Sequence, residues 1–316
     1  MIRSRLCDLL GIQYPILQGG MAWIADGQLA AAVSNAGGLG IIAAGSAPAD
    51  WVREQIRLAR GLTAKPFGVN VMLMSPHAAA IAQVVVEEQV PVVTTGAGNP
   101  APFMEAWMAA GICVIPVVPS VAIAKRMAQK GAAAIIAEGG EAGGHVGDTT
   151  TMALVPQVAD AVDIPVIAAG GIADGRGIAA VFALGASGVQ LGTRFLVAEE
   201  CKIHQHYKDL VLKAKDRDTV ATGKRLGHPV RSLKTPFSRR FASLEYDSSV
   251  TNEELEALGV GALQRAVLGD EQDGCFVAGQ IAGLVAREQT VAEMITEMFA
   301  QAEAVLRDRA KNFIQE

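Results

Sequence analysis

Aromatic residues, charge and cysteine are all scarce in this chain. Phe, Trp and Tyr make up 5% of its 316 residues, and charged side chains 19%. The four cysteines (Cys7, Cys113, Cys201 and Cys275) stand far apart, and none belongs to a CxxC pair. That spacing excludes a zinc knuckle and a redox dithiol, and it suits reduced, buried thiols in a cytoplasmic protein. The net charge of −5 argues against a nucleic-acid partner. A 51% hydrophobic content excludes disorder. Asp8 breaks the apolar run after Met1–Arg5, which is too short for a signal peptide. Residues 106–124 are uncharged, but Gly111, Pro116 and Pro119 interrupt them. They read as a buried strand and a loop, so no membrane insertion is expected. Walker, HExxH and GxSxG motifs are all missing, which leaves ATP-binding, metalloprotease and α/β-hydrolase readings unsupported.

Glycine is abundant instead, at 34 residues. That is about 11% of the chain, against roughly 7% in an average protein. The glycines sit in a rhythm. Short apolar runs recur at Tyr14–Gln18, Leu39–Ala43, Phe67–Met72, Val90–Thr94, Ile112–Val117, Ala133–Ala137, Pro165–Ala169 and Gly188–Leu191. They are apolar throughout rather than alternating, as parallel strands covered on both faces are. Helical stretches such as Gly27–Asn35, Asp50–Arg60, Val121–Gln129 and Arg176–Leu184 lie between them. Eight strand–helix units predict a (β/α)8 TIM barrel.

The rhythm stops after Phe195. Residues 202–240 hold 11 Lys/Arg against 3 Asp/Glu, a local +8 that leaves −13 on the rest. The predicted organisation is a barrel over 1–199 and 261–316, with an inserted basic subdomain over 200–260. A final amphipathic helix, Val291–Asn312, is expected to pack back on the barrel. The basic segment is either a solvated surface or an attractor for an acidic partner or a cofactor pyrophosphate.

Active sites of such barrels lie at the C-terminal ends of the strands, with phosphate sites often after strands 7 and 8. Three glycine turns fall there. Gln18-Gly19-Gly20-Met21-Ala22 follows the first strand, Ala168-Ala169-Gly170-Gly171-Ile172 the seventh, and Gln190-Leu191-Gly192-Thr193-Arg194 the eighth. Glycine lets backbone N–H groups approach a phosphate closely. Gly96-Ala97-Gly98-Asn99-Pro100-Ala101 fits GxGxxA but lacks the acidic residue a dinucleotide fingerprint needs, so it reads as another barrel loop. The loop after the sixth strand, Glu138-Gly139-Gly140-Glu141-Ala142-Gly143-Gly144-His145, brings an imidazole to a strand end. A histidine there can move a proton near neutral pH. His228, in the basic segment, is a weaker candidate. Asn70, inside an apolar strand, either pairs with a neighbouring strand or meets a ligand ring edge. Glu138 needs a partner: a hydroxyl, a cation or a lysine. Met21, Met72 and Met74 either pack the core or line an apolar groove.

These motifs, with Ala36-Gly37-Gly38-Leu39-Gly40, resemble the FMN barrel group of the nitronate monooxygenases (2-nitropropane dioxygenases) and the flavin-dependent enoyl-[acyl-carrier-protein] reductase II family. Gly19–Trp23, Val93–Asn99, Val114–Met127 and Gly279–Val285 resemble the reductase branch. The resemblance implies an FMN-dependent trans-2-enoyl-acyl-carrier-protein reductase of bacterial fatty-acid elongation. Hydride would pass from NADH or NADPH through flavin N5 to the enoyl β-carbon. It implies flavin contacts at Gly19, Gly20, Met21, Ala22, Asn70, Glu138, Gly144, Ala169, Gly170, Gly171, Leu191, Gly192, Thr193, Gly279 and Gln280. His145 matches the active-site histidine. It further implies an acidic acyl carrier protein as partner, a homodimer and a response to monovalent cations. The alternative is a nitronate monooxygenase, which oxidises alkyl nitronates with O2.

Overall fold

A computed structural model describes residues 2–309. Eight parallel strands form the barrel: β1 (Ile16–Gln18), β2 (Gly40–Ala43), β3 (Phe67–Met72), β4 (Val92–Gly96), β5 (Cys113–Val118), β6 (Ile135–Glu138), β8 (Val166–Ala169) and β9 (Gly188–Leu191). Their spatial order is β1-β9-β8-β6-β5-β4-β3-β2. The ring closes where Leu17 bridges Leu39: Gln18 N–H donates to Leu39 O at 3.0 Å, and Leu39 N–H to Ile16 O at 2.9 Å. This is the predicted TIM barrel. Several strands begin later than the apolar runs suggest, and a proline explains three of them. Pro15, Pro91 and Pro165 stand just before β1, β4 and β8, and none has an N–H to give to the ladder.

Side chains alternate across the barrel wall, as the two-residue period of a strand requires. Leu17, Ile41, Val92, Ile115, Ile136 and Ile167 fill the interior, where Leu6, Cys7 and Leu10 of the first helix, Arg5–Leu10, join them. Val69, Val93, Val114, Ile135, Val166 and Val189 face outward into the main core under the helices. The Ala-rich helices come very close to the strands. A Cβ on Gly40 would stand 1.9 Å from the carbonyl oxygen of Ala30 in the helix Gly27–Asn35. That helix coincides with its predicted span.

Three further strands form a small antiparallel sheet: β7 (Gly144–His145), β10 (Thr219–Thr222) and β11 (Val230–Leu233), in the order β10-β11-β7. Residues 200–260 also supply the helices Gln205–Lys213, Pro236–Glu245 and Asn252–Gly259. Tyr207 and Leu233 join the main core, whereas Phe237, Phe241 and Leu255 build a satellite cluster with Ala262. The C-terminal helix Val291–Ala304 packs against Gly175–Ala183, with Gln301 Oε1 accepting from Gly175 N–H at 2.8 Å. A short π-helical turn, Val305–Arg309, follows it, and the predicted helix end at Asn312 lies outside the described residues. Among the described residues, no helix is long and apolar enough to cross a membrane. Residues 106–124, expected as a strand and a loop, run from the end of the helix Ala101–Ala109 through β5 and, after Pro119 and Ser120, into the helix Val121–Gln129.

Candidate active site

A cavity of about 850 Å3 opens at the C-terminal ends of the barrel strands. That is within the usual size range of small-molecule and cofactor sites. Every residue expected at the site lines it except Gln280. Gly19, Gly20, Met21 and Ala22 come from the loop after β1, Asn70 from β3 and Glu138 from β6. Gly144 and His145 come from β7, Ala169, Gly170 and Gly171 from the end of β8, and Leu191, Gly192 and Thr193 from the end of β9. Gly279 arrives from the C-terminal segment. Gln280 is exposed, and only its backbone takes part, donating to Glu141 O at 2.9 Å. Met21 and Met72 line the cavity, but Met74 does not: it is 62% exposed beyond the end of β3.

The turn after β8 depends on glycine. Gly170 and Gly171 have φ of +88° and +71°, a left-handed conformation that side chains disfavour. Next to it, Thr193 Oγ1 accepts from Gly279 N–H at 2.8 Å, which joins the C-terminal segment to the end of β9. Glu141 joins more. Its carboxylate accepts from Thr151 N–H at 2.9 Å and Thr151 Oγ1 at 3.0 Å, and Thr151 Oγ1 also lies 3.0 Å from Gly170 O. One carboxylate thus fastens the loop after β6 to the turn after β8, and the Gln280 bond to its carbonyl adds the C-terminal segment.

On the opposite wall, Thr94 Oγ1 donates to Asn70 Oδ1 at 3.0 Å. Among the described residues this strand-to-strand bond leaves the Asn70 amide N–H groups free for the cavity. Of the two roles the sequence left open, pairing with a neighbouring strand is the one the structure shows. Gly20 packs on it so tightly that a Cβ there would come within 2.5 Å of Asn70 Cβ. Glu138 lies deep in the cavity, and no lysine, arginine or hydroxyl pairs with it among the described residues. Burial pushes its pKa up to about 7. Among the described residues, no group of three or more His, Cys, Asp and Glu is arranged to hold a metal ion.

His145 is held by the small sheet rather than by the barrel. It pairs with Val230, and Gly144 pairs with Arg231. Arg231 Nε and Nη2 both donate to Gly140 O, at 3.2 and 3.0 Å, so this cation is a strut inside the loop. The same hairpin brings His228 to the cavity, its ring centroid 6.4 Å from that of His145. Desolvation, and secondarily the neighbouring His228, keep the His145 pKa below the usual imidazole value.

Sequence reasoning missed several lining residues. Gln190 and Glu141 stood in motifs read only for their glycines. Trp23 and Ala97 line the cavity with φ of +65° and +51°. Such non-glycine conformations cost of order 1 kcal/mol each and gather at functional sites. Leu226, Phe237, Phe241, Leu255, Val260 and Leu263 form an apolar wall over the mouth. All lie in or next to the basic segment, where charge hid them.

The family model described as nitronate monooxygenase matches residues 3–301. The chain belongs to the nitronate monooxygenase family. The family is FMN-dependent, and its members are flavin-dependent oxidoreductases built on this barrel. Among curated relatives, a Rhodococcus jostii protein, (3aS,4S,5R,7aS)-5-hydroxy-7a-methyl-1-oxo-octahydro-1H-indene-4-carboxyl-CoA dehydrogenase, is 41% identical over 234 residues. The match takes in 74% of this chain and 66% of that protein, just under two thirds of its length. Among solved structures, FabK from Thermotoga maritima is 48% identical with a TM-score of 0.96, over 99% of this chain and 100% of that one. A nitroalkane oxidase from Streptomyces ansochromogenes is 32% identical with a TM-score of 0.84, over 96% and 100%.

Proposed function

We propose that this member of the nitronate monooxygenase family is an FMN-dependent trans-2-enoyl-acyl-carrier-protein reductase driven by NADH or NADPH. The observation that carries the reading is the end-to-end match to FabK, an enoyl-acyl-carrier-protein reductase II. The apolar wall over the cavity mouth supports it, because an acyl chain needs such a wall and a small nitronate does not. The cavity fits FMN. The glycine turns after β8 and β9 present backbone N–H groups for one phosphate. Asn70 offers free amide donors, and Glu138, with no partner among the described residues, offers a carboxyl for ribityl hydroxyls.

When bound, the flavin supplies hydride transfer between the reduced nicotinamide and the enoyl β-carbon. The chain's own residues do the rest. The glycine turns and Asn70 orient the cofactor, the apolar wall excludes water, and His145 delivers a proton to the α-carbon. Arg231 and β11 hold His145 in place. The reading includes an acidic carrier protein as partner, a cytoplasmic homodimer and sensitivity to a monovalent cation. It treats residues 200–260 as an inserted unit that covers the barrel mouth.

The family match itself favours a second reading, oxidation of alkyl nitronates with O2. One experiment separates the two. The bound flavin is reduced anaerobically with NADH and then offered crotonyl thioester or oxygen. Fast reoxidation by the thioester is expected. Failure of that step, with oxygen uptake on propyl-2-nitronate in the absence of NADH, would establish the second reading instead.

A further inference from the structure

We propose that the cavity has an apolar arm that takes the acyl tail and is open at its far end, so that the enzyme favours medium and long enoyl thioesters and sets no upper limit on their length. This rests on the enoyl-reductase reading above. The cavity extends past the glycine turns and His145. Phe237, Phe241, Leu255 and Ala262 line it, and each is at most 6% exposed. The same four are the buried members of the satellite cluster, against which Leu226 and Cys275 of the cavity wall also pack. The cavity therefore reaches into that cluster rather than passing over its surface. Three short helices supply the walls. Phe237 and Phe241, four residues apart, share a face of Pro236–Glu245. Leu255 is the buried side chain of Asn252–Gly259, and Ala262 begins the helix Ala262–Val267.

The far end of the lining is of a different kind. Gly259 and Val260 belong to it, yet Gly259 is exposed and Val260 is 73% exposed. A Cβ on Gly259 would meet no atom within 4 Å. Exposed Glu256 lines the cavity one helical turn before them. A closed pocket ends on buried side chains, whereas this arm ends in solvent. A tail that outgrows it continues into water instead of meeting a wall.

The chemistry of the arm selects the tail over the rest of the substrate. Within the cluster the lining side chains are hydrocarbon, apart from the Cys275 thiol, which burial keeps neutral with its pKa pushed up to about 11. Among the described residues, no lysine or arginine lines the cavity. The pantetheine portion of a carrier-bound thioester brings two amides, and a hydrocarbon lining would leave them unpaired. An alkyl chain has no such groups and gains with every methylene it buries. The thioester head therefore stays on the side of His145, and the tail runs between the helices toward Gly259.

The test uses the flavin-loaded enzyme with trans-2-enoyl-N-acetylcysteamine thioesters from crotonyl to hexadecenoyl, each below its aggregation concentration. Their kcat/KM should rise by about two- to fourfold per methylene and then level off without falling. A series that is flat from crotonyl onward overturns the arm, and a steep fall at the longest tails overturns the open end. Two variants locate the path. Gly259→Trp fills the open space at the far end and should lower the hexadecenoyl-to-octenoyl ratio of kcat/KM by about tenfold or more. Ala262→Leu narrows the arm inside the cluster and should lower the octenoyl-to-crotonyl ratio by about as much. An unchanged ratio in Gly259→Trp overturns the open end, and an unchanged ratio in Ala262→Leu overturns the arm. If Ala262→Leu fails to fold, the wild-type series and Gly259→Trp decide. If wild-type enzyme reduces no member of the series, the enoyl-reductase reading fails, which is a distinct result. Dissociation constants of the saturated thioesters, read from the flavin absorbance, then judge the arm by the same dependence on length.

Discussion

Replacing Glu138 with glutamine should stabilise the flavin-free protein, and only where the carboxyl would be ionised. Burial raises the Glu138 pKa from 4.5 to about 7. The folded state therefore holds this proton more tightly than the unfolded chain does. The resulting destabilisation is absent below about pH 4.5, grows as pH rises, and is complete above about pH 7. A shift of that size corresponds to about 3 kcal/mol. Water in the open cavity screens part of it, so about 1–3 kcal/mol is expected. Glutamine keeps the shape and one acceptor but has no charge to desolvate.

Thermal unfolding of both proteins at pH 8 and pH 4.5 measures the effect. For a chain of this length each kcal/mol moves the midpoint by roughly 2 °C. Glu138→Gln should therefore melt roughly 2–6 °C higher at pH 8 and near the wild-type temperature at pH 4.5. A gain of equal size at both pH values would refute the argument, because it would have nothing to do with ionisation. No gain at pH 8 would show that the carboxyl is already satisfied.

Three single substitutions and one triple charge reversal probe the site. Gly20→Ala places a Cβ 2.5 Å from Asn70 Cβ, so it should displace that amide and cut FMN affinity by about tenfold or more, read from flavin fluorescence on titration. Thr193→Val removes the acceptor for buried Gly279 N–H and should cost about 1–3 kcal/mol in chemical unfolding, with the C-terminal segment losing amide protection. His145→Ala should keep FMN and its reduction by NADH yet slow enoyl reduction by about 100-fold in single-turnover assays. Charge reversal at exposed Lys224, Lys234 and Arg239, none of which pairs with a carboxylate among the described residues, should raise KM for a carrier-bound substrate and leave an N-acetylcysteamine thioester unaffected. Equal losses on both substrates would remove the docking role.

The barrel was legible because burial on both faces makes its strands apolar without interruption, and that pattern survives in a single sequence. The glycine turns were legible because few other residues tolerate the φ values of Gly170 and Gly171. The strand β7 was not, since two residues carry no period. The apolar wall was hidden for a different reason. Phe237, Phe241 and Leu255 alternate with Arg239, Arg240, Glu253 and Glu254 along short helices, so a charge count sees the outer face and not the inner one. Arg231 shows the limit of charge counting most directly. It contributes to the local +8, yet it is spent on a carbonyl inside the loop.

On the enoyl-reductase reading, that strut ties the basic segment to the proposed chemistry. The barrel positions the glycine turns, Asn70 and Glu138 through its own parallel ladder. His145 takes its position from β11, and β11 belongs to the segment that also carries His228 and the apolar wall. On the same reading, a change in that segment should move the apolar wall and His145 together and leave the glycine turns, Asn70 and Glu138 in place. Loosening the Arg231 strut alone should then separate the two functions: Arg231→Ala ought to leave flavin affinity and its reduction by NADH intact and slow the proton-dependent step. If Arg231→Ala instead released the flavin, the cradle would depend on the loop after β6 as much as on the barrel, and this division of labour would be wrong.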